Sequence, residues 1–383
     1  MIWWEMLEFL PKDWRDAHLV GRMDFGQGPT PVALKDGLVF DLSALAPTVA
    51  QLLDKHASRF EGKVICPVEE LDVQPSWSEK RGRHRLLAPI DLQCVKAAGV
   101  TFATSTMERV IEERARGDAN KAQEIRRALE SRVGNNLRAC RPGSLDAARL
   151  KDILIADGLW SQYLEVAIGP DAEIFTKAPP LSSVGAGAEI GIRSDSSWNN
   201  PEPEIVLIVN RQGEAVGASL GNDVNLRDFE GRSALLLGKA KDNNASCSIG
   251  PFIRLFDADF TMDQVRSAVV ELTIEGEDNY RLEGKSSMAE ISRDPLDLVH
   301  QALSQHHYPD GFALFLGTMF APIQDRDTPG LGFTHKTGDL VRVSTPSLGV
   351  LENKVTTCKQ ALPWDFGIAD LMINLARRGL LNS

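Results

Sequence analysis

Three acidic residues near the middle of the chain have the types and spacing needed to hold a divalent cation. Glu202 and Glu204 flank Pro203 at the start of the apolar stretch 205–209, and Asp223 follows the next apolar run. Successive side chains of an extended strand point to opposite faces, so the two glutamates would share one face. A proline fits the first residue of a strand or an edge strand. We therefore predict a site of three carboxylates that lines a cleft.

The donor types limit which cation this site would hold. Carboxylate oxygens with no cysteine or histidine nearby favour Mg²⁺, Mn²⁺ or Ca²⁺ over zinc. Mg²⁺ usually keeps coordination positions for water or substrate, and a reaction could take place there. The alternative is that Glu202 and Glu204 are solvent-facing acids on an edge strand and that Asp223 lies in a turn. This is the commoner outcome for two glutamates separated by one residue.

The elements that would position these residues fall into two parts. In 21–91, short apolar runs alternate with Gly and Asp turns, with a helical stretch near 47–56. This pattern predicts a small α+β domain at 1–85. Charge, proline and glycine in 74–85 are typical of a linker. The remainder, 86–383, is the predicted catalytic domain.

The second part begins with helical patterns and continues as β-structure. One helix is predicted to begin at Ser105 and run to Arg116, a second to cover 120–133, and a third to cover 145 to about 164. The later apolar runs are 205–209, 215–220, 248–255, 269–274, 313–316 and 340–343. Strands and helices do not alternate regularly, so we expect a mixed or antiparallel β roll and not a Rossmann fold.

A glycine-rich stretch at 185–191 has only a superficial similarity to a nucleotide-binding fingerprint. Its third glycine stands one place late, and no helical pattern follows it. A fingerprint of this kind requires glycines at fixed positions and a helix whose first amides face the phosphate. The stretch is therefore disfavoured as a phosphate-binding loop.

The overall composition excludes several classes of protein. The chain of 383 residues has 53 acidic and 42 basic residues and a net charge of −11, which repels nucleic acid. The arginine-rich segment 109–138 is interleaved with glutamates, as in a solvated helix. Five scattered cysteines argue against a disulfide framework, and the histidines lack the spacing of a zinc hydrolase.

Membrane insertion and secretion are also disfavoured. No apolar run approaches the roughly 18 residues of a membrane helix. The opening residues 1–5 lack the basic region of a signal peptide. We therefore expect a cytoplasmic protein that binds neither nucleic acid nor a membrane.

Several short motifs occur in a particular order along the chain. They are Gly21-Arg22-Met23-Asp24-Phe25 with Asp41-Leu42, Gly99-Val100-Thr101-Phe102, Phe175-Thr176-Lys177, Glu202 with Glu204, Asn222-Asp223 with Arg227-Asp228, Lys241 ahead of Ala245-Ser246-Cys247, Gly317-Thr318, and Gly338-Asp339 with Gly349 and Asn353. In this order they resemble the fumarylacetoacetate hydrolase superfamily over nearly the whole chain. One motif alone would be weak, but the ordered set is specific.

The resemblance implies an α+β protein whose catalytic domain is a mixed β-sandwich roll, assembled as a homodimer or a dimer of dimers. It also implies Mg²⁺, with Mn²⁺ or Ca²⁺ as possible substitutes, bound to a 2-oxo acid through its carboxylate and 2-oxo oxygens. The implied metal ligands are Glu202, Glu204 and Asp223. The implied substrate contacts are Lys241, Gly317 and Thr318.

Two departures from the superfamily pattern indicate a particular branch. Hydrolases of the superfamily have a His-x-x-Glu dyad that activates water, and this chain has Ser105 and Glu108 there, which disfavours carbon–carbon cleavage by water. A helical insertion at about 118–163 follows. These features, with the stretch 221–251, resemble the branch that dehydrates 2-keto-3-deoxy-pentonates from D-xylonate or L-arabinonate in non-phosphorylating pentose catabolism.

That branch implies a hydro-lyase reaction that removes a C3 proton and the C4 hydroxyl and leads to 2,5-dioxopentanoate. A bound cation would polarise the 2-oxo group and make C3 acidic. Lys241 is the expected base, with a pKa lowered by the cation. Glu108 would assist loss of the hydroxyl, as an acid or through a water held by Ser105. The alternative is that Ser105-x-x-Glu108 is a capping box that begins a helix.

Two other functions are weighed beside the dehydratase. An acylpyruvate or 2,4-diketo-3-deoxy sugar acid hydrolase would release pyruvate, whereas a dehydratase keeps all carbons in one molecule. A non-catalytic sugar-acid-binding protein would bind without metal-dependent turnover, and the three acids with Lys241 argue against it. The insertion lies beside Ser105, which favours a gating role for it.

Overall fold

The computed structural model of the chain describes residues 6–55, 62–79, 82–127, 140–320, 322–329 and 331–381. Some sequence predictions therefore concern residues outside the described ones. These are the absence of a signal peptide at 1–5, the end of the helical stretch at 56, part of the linker at 80–81, and the end of the second helix at 128–133.

Strands and short helices make up most of the described chain. The strands are β1 (Leu19–Asp24), β2 (Pro29–Lys35), β3 (Leu38–Asp41), β4 (Lys63–Pro67), β5 (Arg85–Leu86), β6 (Cys94–Ala98), β7 (Ile174–Ala178), β8 (Glu189–Ile192), β9 (Asn199–Asn200), β10 (Pro203–Val209), β11 (Ala215–Asp223), β12 (Asn225–Leu226), β13 (Cys247–Leu255), β14 (Val269–Glu275), β15 (Arg281–Ser287), β16 (Phe312–Phe315), β17 (Leu340–Thr345) and β18 (Gly349–Thr357).

The helices are α1 (Val49–Leu53), α2 (Ala103–Ala115), α3 (119–127), α4 (Leu145–Ala156), α5 (Gln162–Ile168), α6 (Arg227–Glu230), α7 (Leu237–Lys241), α8 (Met262–Ser267), α9 (Pro295–Leu303) and α10 (Ile368–Arg377). Single 3-10 turns occupy Met6–Phe9, Val68–Glu70, Ala234–Leu236 and Met288–Glu290. Among the described residues, no helix is long and apolar enough to cross a bilayer.

The largest sheet formed by the described residues has 11 strands and includes the N-terminal strands. Its order is β4-β3-β2-β1-β13-β11-β10-β16-β6-β7, with β5 beside β1. Leu19 of β1 stands opposite Arg254 of β13, so β1 extends the sheet that also contains β10 and β11. Most neighbours are antiparallel, and β16 with β6 is parallel. This is the mixed β architecture that the sequence predicts, and the domain boundary at 85 stays a prediction.

A second sheet packs its apolar face against the first. Its order is β15-β14-β17-β18-β8, and β18 with β8 is parallel. Val270, Leu272 and Ile274 of β14 are buried, whereas Glu271, between the first two, and Glu275, after Ile274, are exposed. This alternation is expected for a strand with one face on a core. The same core contains apolar side chains of β10, so it supports the strand that carries Glu204.

Helix α2 begins earlier than the sequence predicts. Its N-cap is Phe102, which has no side-chain capping bond, and its first residue is Ala103, not Ser105. Ser105 Oγ donates to Phe102 O at 3.0 Å, and the Glu108 carboxylate binds Arg126. The capping-box interpretation is therefore wrong, because the hydroxyl binds a carbonyl oxygen and the carboxylate is held by a distant arginine.

The described part of the insertion contains α3, α4 and the start of α5. The predicted third helix is two helices, because Gly158, with φ +66°, follows α4 in the left-handed region that ends helices. Ser144 caps α4, where its Oγ accepts from Ala147 N at 3.1 Å. Ser161 caps α5 by accepting from Tyr163 N.

Replacing Ser144 with Ala should lower the free energy of unfolding by about 1 kcal/mol, because the first turn of α4 loses its cap. Replacing Ser105 with Ala should cost less, because Ser105 caps nothing and alanine is the better helix former. Chemical denaturation followed by circular dichroism measures both. An equal or larger loss for Ser105→Ala would contradict the assignment of Phe102 as the helix start.

Candidate metal centre and active site

The pairing of β10 with β11 brings the three acids together. Pro203 stands opposite Asn222, so Asp223 lies beside Glu202, and Asp223 N donates to Glu202 O at 3.0 Å. One carboxylate oxygen from each of Glu202, Glu204 and Asp223 lies within 4.8 Å of the others. All three residues are buried. The solvent-facing alternative is therefore wrong for these acids.

Of the two strand positions expected for Pro203, the first residue of a strand is correct and the edge strand is wrong. Strand β10 lies between β11 and β16, with Val206 opposite Phe315, and all its residues are buried. Pro203 is tolerated because it is the first residue of the strand, where its lack of an N–H does not interrupt the hydrogen bonds between strands. The acids thus lie at the end of a central strand and not along an exposed edge.

The buried acids fit a hard divalent cation. Burial, together with the charges of Asp223 and Glu202, raises the pKa of Glu204 well above its usual range. Glu204 Oε2 accepts one backbone bond, from Gly317 N at 2.6 Å. The positive charge of a divalent cation would allow all three carboxylates to be ionised together. Because all the donors are oxygens, they suit Mg²⁺, Mn²⁺ or Ca²⁺.

Two buried lysines lie against the same acids. Lys241 Nζ contacts a carboxylate oxygen of Glu202 and lies 3.1 Å from Asp223 Oδ2. Lys177 Nζ lies 2.7 Å from Asp223 Oδ1. Burial opposes the charge of Lys241, but Asp223 and Glu202 outweigh burial and raise its pKa above the usual range. In this arrangement the Lys241 ammonium neutralises the acids, so Lys241 does not have the lowered pKa that a base requires.

Arg109 of α2 is a third cation at the site. The interpretation of its segment as a solvated helix is wrong here, because Arg109 and Glu112 are buried. Its guanidinium contacts Glu202, lies 3.0 Å from Glu230 Oε1, and lies 2.6 Å from Glu112 Oε2. Burial disfavours the ionised form of Glu202, but Lys241 and Arg109 outweigh burial and hold its pKa at about 2. Glu202 is thus ionised at any physiological pH.

Alternating charges continue from Arg109 to the insertion. Arg227 Nε lies 3.3 Å from Glu112 Oε1, and Arg227 Nη1 lies 3.8 Å from Glu108 Oε2. Arg126, on α3, donates to both oxygens of Glu108 at 3.1 and 2.7 Å. The insertion is therefore joined to the acid cluster through buried ion pairs, in agreement with its predicted position beside the site.

The pocket above the acids is nearly closed. Its volume is about 10 Å³, which is about the space of one water. Ser105 and Thr318 line it, whereas Glu108 does not. A sugar acid would therefore enter only if side chains such as Lys241 and Arg109 moved aside.

The Gly317-Thr318 segment requires its glycine. A Cβ atom on Gly317 would lie 2.0 Å from Thr101 Oγ1, and its φ of +100° is one that other residues rarely adopt. This conformation lets its amide reach Glu204. Thr318 Oγ1 donates to Phe320 O at 2.8 Å, so its hydroxyl is held at the pocket wall.

Glu173 lines the pocket and was also missed from the sequence. It stands one residue before β7, and a Cβ on Gly99 would lie 2.0 Å from its Oε2. Burial, followed by the charge of Glu230, raises the pKa of Glu173 to about 7. The available signal was position, because Glu173 stands two residues before Phe175, the first residue of the Phe175-Thr176-Lys177 motif.

Replacing Glu202 or Glu204 with Gln should weaken binding of Mg²⁺ or Mn²⁺ by more than the roughly 10- to 100-fold that is typical of changes outside the ligand shell. The reason is that each replacement removes a charged ligand oxygen. Isothermal titration calorimetry measures the affinity without any substrate. Glu283→Gln, on the exposed edge strand β15, is the matched control and should leave it unchanged. Unchanged affinity in both site variants would contradict the metal centre.

Replacing Glu173 with Gln should change how stability depends on pH. Folding raises the pKa of this carboxyl from 4.5 to about 7, so ionisation costs the folded state stability. That cost is absent below about pH 4.5 and complete above about pH 7. The free energy of unfolding of the variant, relative to the original protein, should therefore rise between pH 4.5 and 7. Denaturation in a chelator tests this, and a difference independent of pH would contradict it.

A family model matches residues 161–356, about half of the chain, with the description "Fumarylacetoacetate (FAA) hydrolase C-terminal". The matched residues include the three acids and Lys241.

Two curated relatives are similar in sequence. "Probable 2-keto-3-deoxyxylonate dehydratase" of Haloferax volcanii is 32% identical over 195 residues, which are 51% of this chain and 64% of the relative. "2-dehydro-3-deoxy-D-arabinonate dehydratase" of Saccharolobus solfataricus is 31% identical over 182 residues, which are 47% and 57%. The chain thus spans less than two thirds of the length of either relative.

A solved structure shares the fold. It is described as "2-keto-3-deoxy-D-arabinonate dehydratase complexed with magnesium and 2,5-dioxopentanoate", and it has a TM-score of 0.64 at 22% identity. The similarity covers 89% of this chain and 99% of the other. The predicted fold class is confirmed by this similarity. The family match and the shared fold together show that this chain belongs to the fumarylacetoacetate hydrolase family.

Proposed function

We propose that this protein is a Mg²⁺-dependent dehydratase that converts a 2-keto-3-deoxy-pentonate, derived from D-xylonate or L-arabinonate, to 2,5-dioxopentanoate. The observation that carries the proposal is the buried cluster of Glu202, Glu204 and Asp223 in one pocket with Lys241 and Glu173. The names of both curated relatives support the class of reaction. The magnesium and 2,5-dioxopentanoate named for the similar structure support the cofactor and the product.

The acids would hold the cation, and the chain's other groups would handle the protons. Glu202, Glu204 and Asp223 are the proposed ligands of Mg²⁺, and Mn²⁺ or Ca²⁺ are possible substitutes because all the donors are oxygens. When bound, a divalent cation supplies Lewis-acid stabilisation of negative charge on the 2-oxo group, which makes the neighbouring C3–H bond acidic.

Lys241 is the proposed base at C3. Its Nζ now neutralises Glu202 and Asp223, and once those acids serve as ligands the stabilisation of its charge is reduced. A lysine that loses anionic partners inside a buried site has a lower pKa, so a neutral amine becomes accessible. Lys241 would accept the C3 proton and hold it within the pocket.

Glu173 is the proposed acid for the leaving hydroxyl. With a pKa of about 7, it is partly protonated at neutral pH, and it lines the same pocket. General acids work best when their pKa lies near the operating pH. The earlier expectation assigned this role to Glu108, whose carboxylate is bound by Arg126 and does not line the pocket. Ser105 stays a candidate for holding the departing water.

The substrate loses one water in this scheme, and transfer of a proton from Lys241 to Glu173 then restores both groups. The C3 proton passes to Lys241, and the C4 hydroxyl leaves as water with a proton from Glu173. The unsaturated 2-oxo acid that remains becomes 2,5-dioxopentanoate by a proton shift from C5 to C3 and ketonisation at C5. Gly317 and Thr318 are the proposed substrate contacts. Thr318 lines the pocket, and its Oγ1 would turn from Phe320 O to the substrate, whereas Gly317 lies just behind it with its amide bound to Glu204. The homodimer and the cytoplasmic location stay predictions.

Product analysis tests the function directly. Purified protein with Mg²⁺ is incubated with D- and L-2-keto-3-deoxy-pentonates, and the products are identified by mass. We expect one product that is lighter by one water, and no turnover by Glu204→Gln. Release of pyruvate would indicate the hydrolase alternative. Binding of the sugar acids without turnover would indicate the non-catalytic alternative.

Replacing Lys241 with Met should reduce kcat by at least about 100-fold, because the proposed base is lost. Binding of Mg²⁺ should be kept or strengthened, because the ammonium group that competes for Glu202 and Asp223 is gone. Steady-state kinetics and calorimetry of the same preparation separate the two effects. Lys285→Met on the exposed strand β15 is the control. A fully active Lys241→Met enzyme would remove Lys241 from the mechanism.

A further inference from the structure

A second cavity lies away from the acid cluster. Its volume is about 350 Å³, and it is bounded by β1, the segment 181–188 and the chain just before α10. None of its lining residues lines the pocket above the acids. The volume is within the range of sites that bind small molecules.

One wall of the cavity carries a buried arginine whose hydrogen bonding is incomplete. Arg22 is 5% exposed, its Nε donates to Ala88 O at 3.2 Å, and its Nη1 has no hydrogen-bond partner among the described residues. Burial lowers the pKa of Arg22, and the more distant charge of Asp91 opposes this only in part. A buried cation without a close anion destabilises the folded state. The N–H groups of this guanidinium that are not bound within the chain are available to a ligand.

The acidic residues that line the cavity do not pair with the Arg22 guanidinium. Asp24 Oδ1 accepts from Gly26 N at 2.8 Å and Gly28 N at 3.1 Å, and Asp24 Oδ2 accepts from Arg85 at 2.5 Å. The oxygens of Asp24 are therefore already bound within the chain. Asp365 lies at the exposed rim of the cavity. Within the described parts of the chain, the buried guanidinium is thus left without an anionic partner.

The glycine-rich stretch noted in the sequence forms another wall. A Cβ on Gly185 would lie 2.5 Å from the backbone of Leu87, so only glycine allows this close packing. The neighbouring amides are already bound, Val184 N to Cys247 O and Gly187 N to Glu352 O. Strand β8 begins within the stretch, at Glu189, where a nucleotide-binding fingerprint would have a helix. The stretch therefore shapes the cavity, and the Arg22 guanidinium offers an unpaired, buried donor to an anion.

We propose that this cavity binds a small organic anion. Its carboxylate or phosphate would receive hydrogen bonds from the Arg22 guanidinium, whose planar fork matches either group. Its apolar part would lie against Leu86, Leu181 and Phe366, which also line the cavity. Binding there would be independent of the metal centre, because the two sites share no residue.

Calorimetric titration of the full chain tests this with acetate, butyrate and inorganic phosphate as probes. Each is measured on the original protein, on Arg22→Met, and on Arg149→Met, whose arginine is exposed on α4. Glu204→Gln is included because it disables the metal centre but not the cavity. Arg22→Lys, which keeps the charge and loses the fork, covers the case in which Arg22→Met does not fold.

We expect one saturable site for butyrate in the original protein, Arg149→Met and Glu204→Gln. Butyrate should bind about 10-fold more tightly than acetate, because two more methylenes are buried. Arg22→Met, or Arg22→Lys if it alone folds, should weaken binding at least about 10-fold. The proposal is overturned by an absence of saturable binding, by equal affinity in the Arg22 variant, by no preference for butyrate over acetate, or by loss of binding in Glu204→Gln.

Discussion

The repulsion between three buried carboxylates is the constraint on which the rest of this site depends. At about 4 Å, two like charges near a protein surface repel by roughly 4 kcal/mol, and burial increases the cost. Glu202, Glu204 and Asp223 have oxygens within 4.8 Å of one another, so the fold must supply positive charge beside them. Lys241 and Arg109 do so now, and a divalent cation would do so more completely.

The same constraint explains why α2 buries charged residues among its apolar ones. Arg109 must reach Glu202, and once its guanidinium is buried it takes Glu112 as a further partner. Glu112 in turn binds Arg227, which continues the alternation of charge toward the insertion. Removing one member of such a network leaves an uncompensated charge, so the pairs must be retained together. The helix, the insertion and the metal centre are therefore linked energetically.

The sequence identified the three clustered acids better than it identified their surroundings. Glu202 and Glu204 were found because a two-residue spacing in a strand places them on one face, and that reasoning is local. Arg109 and Glu173 were missed because they reach the pocket only through pairings of distant segments. The capping box at Ser105 failed for a similar reason, because contacts of Glu108 with Arg126 are tertiary and leave no periodic signal. The mixed β fold was predictable from the spacing of apolar runs.

The position of the cation is the most direct test of this account. Crystals grown with Mn²⁺ and measured at an energy sensitive to manganese would locate the ion by anomalous scattering. The account predicts one strong peak bound by oxygens of Glu202, Glu204 and Asp223, with Lys241 Nζ no longer between Glu202 and Asp223. A fully occupied ion elsewhere, with the three acids still paired to Lys241, would contradict it.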